Sequence, residues 1–594
     1  MRLLLSLYKL HKLVESSHAN HTRLFHALTK PKPPPIMGCS TSKVEVSRST
    51  DAPSDDYVEG VVCKDSDIKE NEMKSFDLGD AGKVLLVRQK GKLSAIGNKC
   101  THYGAPLSGA ALGDGRVRCQ WHGACFNILN GDIEDFPGLD SLPCYQVTVE
   151  NDEVKVRARR SELQTNKRVK PMTKKDVREA QNIVVIGGGP SGAVCVETLR
   201  QEGFSGQITL VCKEPHLPYD RVLVNKAMHS EIEKTQFRTD KFYQEHGIDV
   251  LKGVEATSVN ASDKTVALSN GKSLSYDRLY VATGMSANRP DIPGANLQNV
   301  FVYRNFEDGR NTHAILRNDL KVVVLGASFI ALEAAAYCLD KDVADVTIVM
   351  RGNVPFKPLA GERIGAAFKK FFEDKGARFI TNSGFARIID DGTGKVGKVE
   401  LVDGTVLDAD MVAMGVGSSC LTDFLKGSGV DLRSDGTVEV NEFLQSNNQS
   451  VYVGGDIAYA PVWSHNNQKA AIGHYPLAHY HGKIAALNML GKTKQLQAVP
   501  YFWTKLFSKS LRYAGHGKYT DIIYIGNVEQ LKFVAFYLDG DEVVAASSVA
   551  WDPVVSQFAE ILAQGQKLYR KDVENDDKFQ WTKKLHHSEQ TDCD

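Results

Sequence analysis

The chain has 594 residues, 42% of them hydrophobic, with 72 basic and 72 acidic side chains. Cores stop growing near about 250–300 residues, so this length divides into three or four domains. A formal net charge of zero without a Lys/Arg block in the bulk of the chain gives nucleic-acid binding no support, the odd total of 11 cysteines speaks against a secreted disulfide framework, and no run reaches the roughly 18 apolar residues of a membrane span.

Residues 1–36 carry Arg2, Lys9, Lys12, Arg23, Lys30 and Lys32 against the single acid Glu15. On a helix Leu3, Leu7, Leu10 and Val14 share one face opposite Arg2, Lys9 and Lys12. This is the acid-poor amphipathic pattern of a mitochondrial presequence. The linker 37–55 opens on Met37-Gly38-Cys39-Ser40-Thr41-Ser42. Translation from Met37 would expose Gly38 for myristoylation and Cys39 for a second acyl chain, giving a cytoplasmic, membrane-anchored product. With Met1 as the start, that motif is silent and the expected location is mitochondrial.

Residues 56–160 alternate apolar and polar positions between Gly/Asn/Asp turns, which predicts a small antiparallel β domain. Inside it stand Cys100-Thr101-His102 and Cys119-Gln120-Trp121-His122. Two thiolates and two imidazoles in two short boxes are the ligand set of a Rieske [2Fe-2S] cluster, with cysteine on one iron and histidine on the other. Cys2His2 also suits tetrahedral zinc, although C-x-H is an unusual zinc box. Ala105, Ala124 and Phe126 stand where high-potential Rieske domains carry Cys, Ser and Tyr, which predicts a potential toward the low end of the range. Cys125 and Cys144 read as packed thiols. The polar stretch 161–181 contains Pro171 and no apolar period, so it reads as a linker.

From residue 182 strand and helix patterns alternate. The strand from Asn182 runs directly into Gly187-Gly188-Gly189-Pro190-Ser191-Gly192, a GxGxxG turn that leads into a helix. Such a turn sets a pyrophosphate at the free N–H groups of the helix N-terminus. Glu214, at the end of the second strand, is placed to accept from ribose hydroxyls. A second copy runs from Lys321 into Gly326-Ala327-Ser328-Phe329-Ile330-Ala331. Only Gly326 survives there as glycine, so an ordinary strand-helix turn is the competing reading. Ala282-Thr283-Gly284 lies between the copies and Gly455-Asp456 after them. The predicted division is a FAD-binding part at 182–306, a NAD(P)-binding domain at 307–415, a second FAD-binding part at 416–498 and an α+β C-terminal domain at 499–594.

With the stretches LPYDRVLVNK, GDIA, GKIAALNML and PYFWTKLFSKSLRYAG, residues from about 56 onward resemble the apoptosis-inducing-factor-like proteins that carry an N-terminal Rieske domain. The reductase part of these proteins is similar to bacterial ferredoxin reductases. The resemblance implies that Arg221 and Lys226 lie along the flavin and that Asp456 holds its ribityl chain. It implies that Glu333 and His474 flank the nicotinamide side, and that Trp503 approaches the isoalloxazine; on burial alone Trp503 would read as a core aromatic. The implied cofactors are a Rieske [2Fe-2S] cluster, FAD, and NADH or NADPH, in a chain whose domain order allows a homodimer.

NAD(P)H gives its electrons as a pair and a Rieske cluster accepts them singly, a mismatch that FAD resolves. The expected function is therefore an NAD(P)H-dependent flavoprotein oxidoreductase that passes electrons through FAD to the cluster and on to an acceptor the sequence does not name. The alternative is an apoptosis-related redox sensor whose nucleotide-driven conformation is the function. No C-x-x-C or C-x4-C stands near the flavin segment, so the dithiol relay of disulfide reductases is not expected. His465, His474, His479 and His481 read as flavin-side or surface histidines. In the second copy Met350 replaces the usual acid after the strand. Arg351, helped by Lys357, is then placed to pair with an NADPH 2'-phosphate, unless it is a solvated surface residue.

Overall fold

The computed structural model describes residues 56–343 and 345–586, and the targeting and acylation expectations on residues 1–55 lie outside them. The first domain is all β. Six antiparallel strands lie in the spatial order Tyr57–Lys64, Glu153–Arg159, Cys144–Glu150, Lys92–Gly97, Lys83–Gln89 and Glu72–Asp77. Period-two burial along Glu153–Arg159 sends Val154, Val156 and Ala158 into the core, as the alternation predicts. A second sheet is built from Ala111–Leu112, Arg116–Arg118, Cys125–Asn127 and Ile133–Asp135.

The stretch 161–181 is tied down along its length. A short helix, Arg160–Thr165, opens it. Arg168 then exchanges backbone bonds with Ser141, and Thr173 N donates to Arg200 O at 2.9 Å. Its polar composition reads as a linker, and the structure adds that the stretch is docked. It docks because side chains such as Arg168, which donates to Leu142 O at 3.0 Å, find partners on the neighbouring surfaces.

Two parallel five-stranded sheets follow. The first runs Ile248–Lys252, Gln207–Cys212, Asn182–Ile186, Arg278–Val281, Val451–Val453, and the second Val300–Val302, Met411–Met414, Lys321–Leu325, Asp345–Val349, Ala377–Ile380. Strands covered on both faces need no alternation, which is why Ile183 to Ile186 and Val322 to Leu325 are continuously apolar. The first sheet closes only when the chain returns at Val451, after the second has been inserted. Helix Tyr475–Met489 packs on helix Pro190–Gln201 at close range. Gly482 permits this, since a Cβ there would stand 2.1 Å from the Ser191 carbonyl oxygen.

A five-stranded antiparallel sheet, Tyr501–Leu506, Lys509–Gly515, Glu542–Val549, Lys532–Asp539, Asp521–Asn527, ends the fold. Helix Val554–Ala563 backs it with Val555, Phe558, Ile561 and Leu562. Among the described residues no helix is long and apolar enough to cross a membrane.

Candidate functional site

Cys100 and His102 lie on the loop after Lys92–Gly97, and Cys119 and His122 on the turn between Arg116–Arg118 and Cys125–Asn127. Both loops close in the same way. Cys100 N donates to Ala105 O and Cys119 N to Ala124 O, each at 2.8 Å, while Gly104 N and Gly123 N return to the cysteine carbonyls at 2.9 and 3.1 Å. The Nδ1 atoms of His102 and His122 stand 3.1 Å apart. The two thiols share a hydrogen bond that holds Cys119 below its ordinary pKa and raises Cys100. Trp121 N points at Cys119 Sγ from 3.4 Å. Burial drives His102 down to about 3, so it stays neutral and free to ligate.

Among the described residues no three of His, Cys, Asp or Glu are grouped as a single ion would need; the donors come as a sulfur pair and a nitrogen pair. That arrangement fits a two-iron cluster with unlike irons better than a tetrahedral zinc. Ala105, Ala124 and Phe126 are buried beside the loops without a side-chain donor. Cys125 is fully buried, as expected, whereas Cys144 is exposed and is not a packed thiol; it bonds the Leu129 carbonyl at 3.1 Å from the sheet surface.

The histidine edge of this centre faces the rest of the chain. Trp503, on the first strand of the C-terminal sheet, has its ring centre 4.3 Å from that of His122 and 5.8 Å from that of His102. Tyr103 stacks on His102 at 3.7 Å and donates its hydroxyl to Asp220. The Asp220 carboxylate also lies 3.9 Å from the otherwise unpartnered Nε2 of His102. Burial pushes the Asp220 carboxyl up, and the bond from Tyr103 offsets this only in part. Arg512 Nε donates to Trp121 O at 3.2 Å.

Behind this contact opens a cavity of about 590 Å³. Gly187, Gly189, Ser191, Glu214, Arg221, Ala282, Thr283, Gly284, Gly455 and Asp456 all line it. The glycines have separate jobs. Gly187 (φ +122°) and Gly192 meet backbone, since a Cβ would come within 2.2 Å of Ala282 O and 2.0 Å of Gly187 O respectively, while at Gly189 a Cβ would meet nothing within 4 Å. The turn therefore packs tightly on the protein side and leaves room on the cavity side, as a dinucleotide pyrophosphate requires. Glu214 accepts from Tyr219 Oη at 2.6 Å and from Arg221. Burial raises its carboxyl, but Arg221 outweighs this and holds it below the usual range. Arg304 Nη2 reaches Asp456 Oδ2 at 3.2 Å.

Lys226 and His474 are not on that lining. Lys226 Nζ instead meets Glu333 Oε1 at 2.5 Å, and the same buried carboxylate accepts from Asn225 and from Thr504, each at 2.6 Å. Glu333 thereby ties both α/β units to the C-terminal sheet. His474 stands at the N-terminal end of helix Tyr475–Met489 beside Phe502, with ring centres 5.1 Å apart, and burial lowers it to about 4. His479 and His481 are buried and do not line the first cavity. His481 Nδ1 accepts from Gly455 N at 3.1 Å, so it holds the loop beside Asp456. Periodicity could not tell these inward positions of an apolar helix from outward ones.

A second cavity of about 1280 Å³ is lined by Gly326, Met350, Arg351 and Lys357. Gly326 (φ +99°) approaches Gly415 O, where a Cβ would lie at 2.5 Å. Ser328 caps the helix by accepting from Ala331 N at 3.3 Å. Arg351 is exposed at the rim, and Lys357 is held by Glu362 at 2.9 Å. Sequence reasoning did not assign Tyr103, Asp220, Arg304, Tyr475 or Arg512. Tyr103 directly follows Cys100-Thr101-His102 and Asp220 sits inside LPYDRVLVNK, but their partners are distant in the chain.

Residues 59–146 match the Rieske [2Fe-2S] domain model, 181–482 the pyridine nucleotide-disulphide oxidoreductase model and 501–581 the reductase C-terminal model. The human protein named apoptosis-inducing factor 3 is 41% identical over 87% of this chain and 86% of its own. Among solved structures, the covalent putidaredoxin reductase-putidaredoxin complex is similar at 26% identity and a TM-score of 0.62, covering 65% of this chain and 94% of that one. The ferredoxin reductase for the CYP199A2 system of Rhodopseudomonas palustris shares the fold at 23% identity and a TM-score of 0.64, over 68% of this chain and 100% of that one. The chain is an oxidoreductase whose cofactors are a Rieske [2Fe-2S] cluster, FAD and NAD(P)H. With its two-cavity α/β core, docked iron-sulfur domain and C-terminal sheet, the chain belongs to the pyridine nucleotide-disulphide oxidoreductase family, among the relatives of apoptosis-inducing factor 3.

Proposed function

We propose that the chain is an NAD(P)H-dependent electron-transfer enzyme that joins two-electron nicotinamide chemistry to a one-electron cluster within a single polypeptide. The observation that carries this reading is Trp503. It packs on both cluster histidines and stands 6.5 Å, ring centre to ring centre, from Tyr475, which lines the first cavity. Bound FAD would supply the conversion between paired and single electrons. Around it, Gly187, Gly189 and Ser191 would receive the pyrophosphate, Glu214 the ribose and Asp456 the ribityl chain. Trp503 and the buried Asp220 lie between the cavity and the histidine edge, which would leave a short gap for the electron.

Anaerobic stopped-flow mixing of the purified protein with NADH or NADPH tests this. Flavin bleaching followed by cluster reduction within one turnover is the expected result. A reduced flavin that persists as a slow, stable species beside an oxidised cluster would favour the redox-sensing alternative instead.

For the coenzyme, the buried Met350 removes the acid that would repel a 2'-phosphate, and Arg351 remains at the rim of the second cavity with Lys357 already engaged. We infer that NADPH is accepted at least as well as NADH. A partly exposed charge-assisted bond of about 1–2 kcal/mol makes Arg351→Ala cost roughly tenfold in kcat/KM for NADPH, with little change for NADH. Steady-state rates with both coenzymes check it; a clear NADH preference that Arg351→Ala leaves untouched rules the assignment out.

A further inference from the structure

Glu560, on helix Val554–Ala563, has a carboxylate with no solvent exposure, and its polar partners all belong to the cluster domain. Arg116 Nε donates to it at 2.9 Å, Arg118 Nε bonds its other oxygen, and Cys125 Sγ lies 3.8 Å away. The socket is shaped for it. Gly113 closes one wall, and a Cβ there would come within 2.1 Å of Glu560 Oε2. Asp135 takes the far end of Arg118, so the buried pair of Arg118 and Glu560 is flanked by the partly exposed Arg116 and Asp135.

Arg118 connects this socket to the cluster. Its Nη1 donates to Gly123 O at 3.0 Å, and Gly123 directly follows the ligand His122. One helical turn before Glu560, Ser556 donates to the carbonyl of the ligand Cys119 at 3.1 Å. Tyr501 underlies Gly123 so closely that a Cβ on that glycine would lie 2.9 Å from the ring. Residues four apart on one helix thus hold both sides of the second ligand loop.

We propose that Glu560 is a positioning residue: it keys the cluster domain onto the C-terminal sheet and, through Arg118, fixes the second ligand loop at the distance from Trp503 that electron transfer uses. The inference rests on the electron-transfer reading above. A buried carboxylate that merely stabilised the fold would affect cofactor loading and stability without separating the two electron steps. A positioning carboxylate separates them.

The test uses the full-length protein loaded with cluster and flavin, as Glu560→Gln and Arg116→Gln. Flavin reduction by NAD(P)H should keep its wild-type rate in both, and dithionite should still develop the Rieske EPR signal. Flavin-to-cluster transfer should slow severalfold in Glu560→Gln, because electron transfer falls off exponentially as the gap between donor and acceptor widens. Arg116→Gln, which leaves Arg118 in place, should give a smaller effect. Limited proteolysis within 161–181 should accelerate in the same order, and Glu560→Asp should recover part of both readouts. Wild-type transfer and wild-type cleavage rates in Glu560→Gln would overturn the proposal. So would a Glu560→Gln protein that loses its cluster while Arg116→Gln shows neither slowed transfer nor faster cleavage. If the wild-type protein transfers nothing from flavin to cluster, the functional reading fails; the cleavage rates then decide the keying role on their own.

Discussion

Cys119→Ser removes the Rieske EPR signal altogether while leaving flavin absorbance in place. Cys119 is fully buried, it supplies one of only two sulfurs in the site, and its loop already commits the neighbouring N–H of Trp121 to that sulfur. A serine hydroxyl at the same place is a harder and far less acidic donor, and it stays protonated where a thiolate would ligate iron. In the proposed ligand set the sulfur and nitrogen pairs serve different irons, so three remaining ligands could not redistribute around the cluster. The effect should be all or none: iron and sulfide analysis near zero, and a flavin still reducible by NAD(P)H. An unchanged EPR spectrum in this variant would falsify the ligand assignment.

Gly192→Val produces the complementary loss, a protein that keeps its cluster and releases its flavin. The modest part of the argument is overpacking, which in a filled interior costs about 1–3 kcal/mol. The larger part is local. The added Cβ would lie 2.0 Å from Gly187 O and 3.3 Å from the Leu210 side chain, so the helix must move away from the strand it follows. That motion opens the turn whose N–H groups are aimed at the first cavity. Absorbance spectra of the purified variant, with flavin counted in the protein and in the filtrate, give the measure. Retention of stoichiometric FAD by Gly192→Val would remove the Gly187 to Gly192 turn from the flavin site. Together the two variants ask whether each domain loads its own cofactor independently, although Cys100 and Cys119 share one buried core with Val185.

Much of this molecule was legible in one dimension because its chemistry is local. Cys100-Thr101-His102 and Cys119-Gln120-Trp121-His122 each place a sulfur and a nitrogen within one turn. Gly187 and Gly192 stand where a Cβ would run into backbone, and continuous apolar runs such as Ile183 to Ile186 announce strands buried on both faces. Such signals need only a few neighbouring residues, so spacing alone singled out the proposed cluster ligands, the two α/β units and their order. The resemblance supplied Trp503, but the sequence offered no means to tell a core aromatic from one seated against two histidines.

The tertiary structure decided what meets what. Tyr103 and Asp220 are 117 residues apart in the chain and bonded in space; Arg118 and Glu560 are 442 apart and share one buried site. No period or motif relates such pairs, because ion pairs and hydrogen bonds across a domain contact depend on how two finished surfaces fit. The same reason explains what the structure adds and corrects. The polar stretch 161–181 is docked because its partners lie on other segments, Cys144 is exposed because its strand presents it outward, and His479 and His481 are buried because a second helix and the cluster domain cover the face that periodicity left unassigned. Sequence determined which cofactors this chain can hold; only the packing of its domains decided that the histidine edge of the cluster faces Trp503.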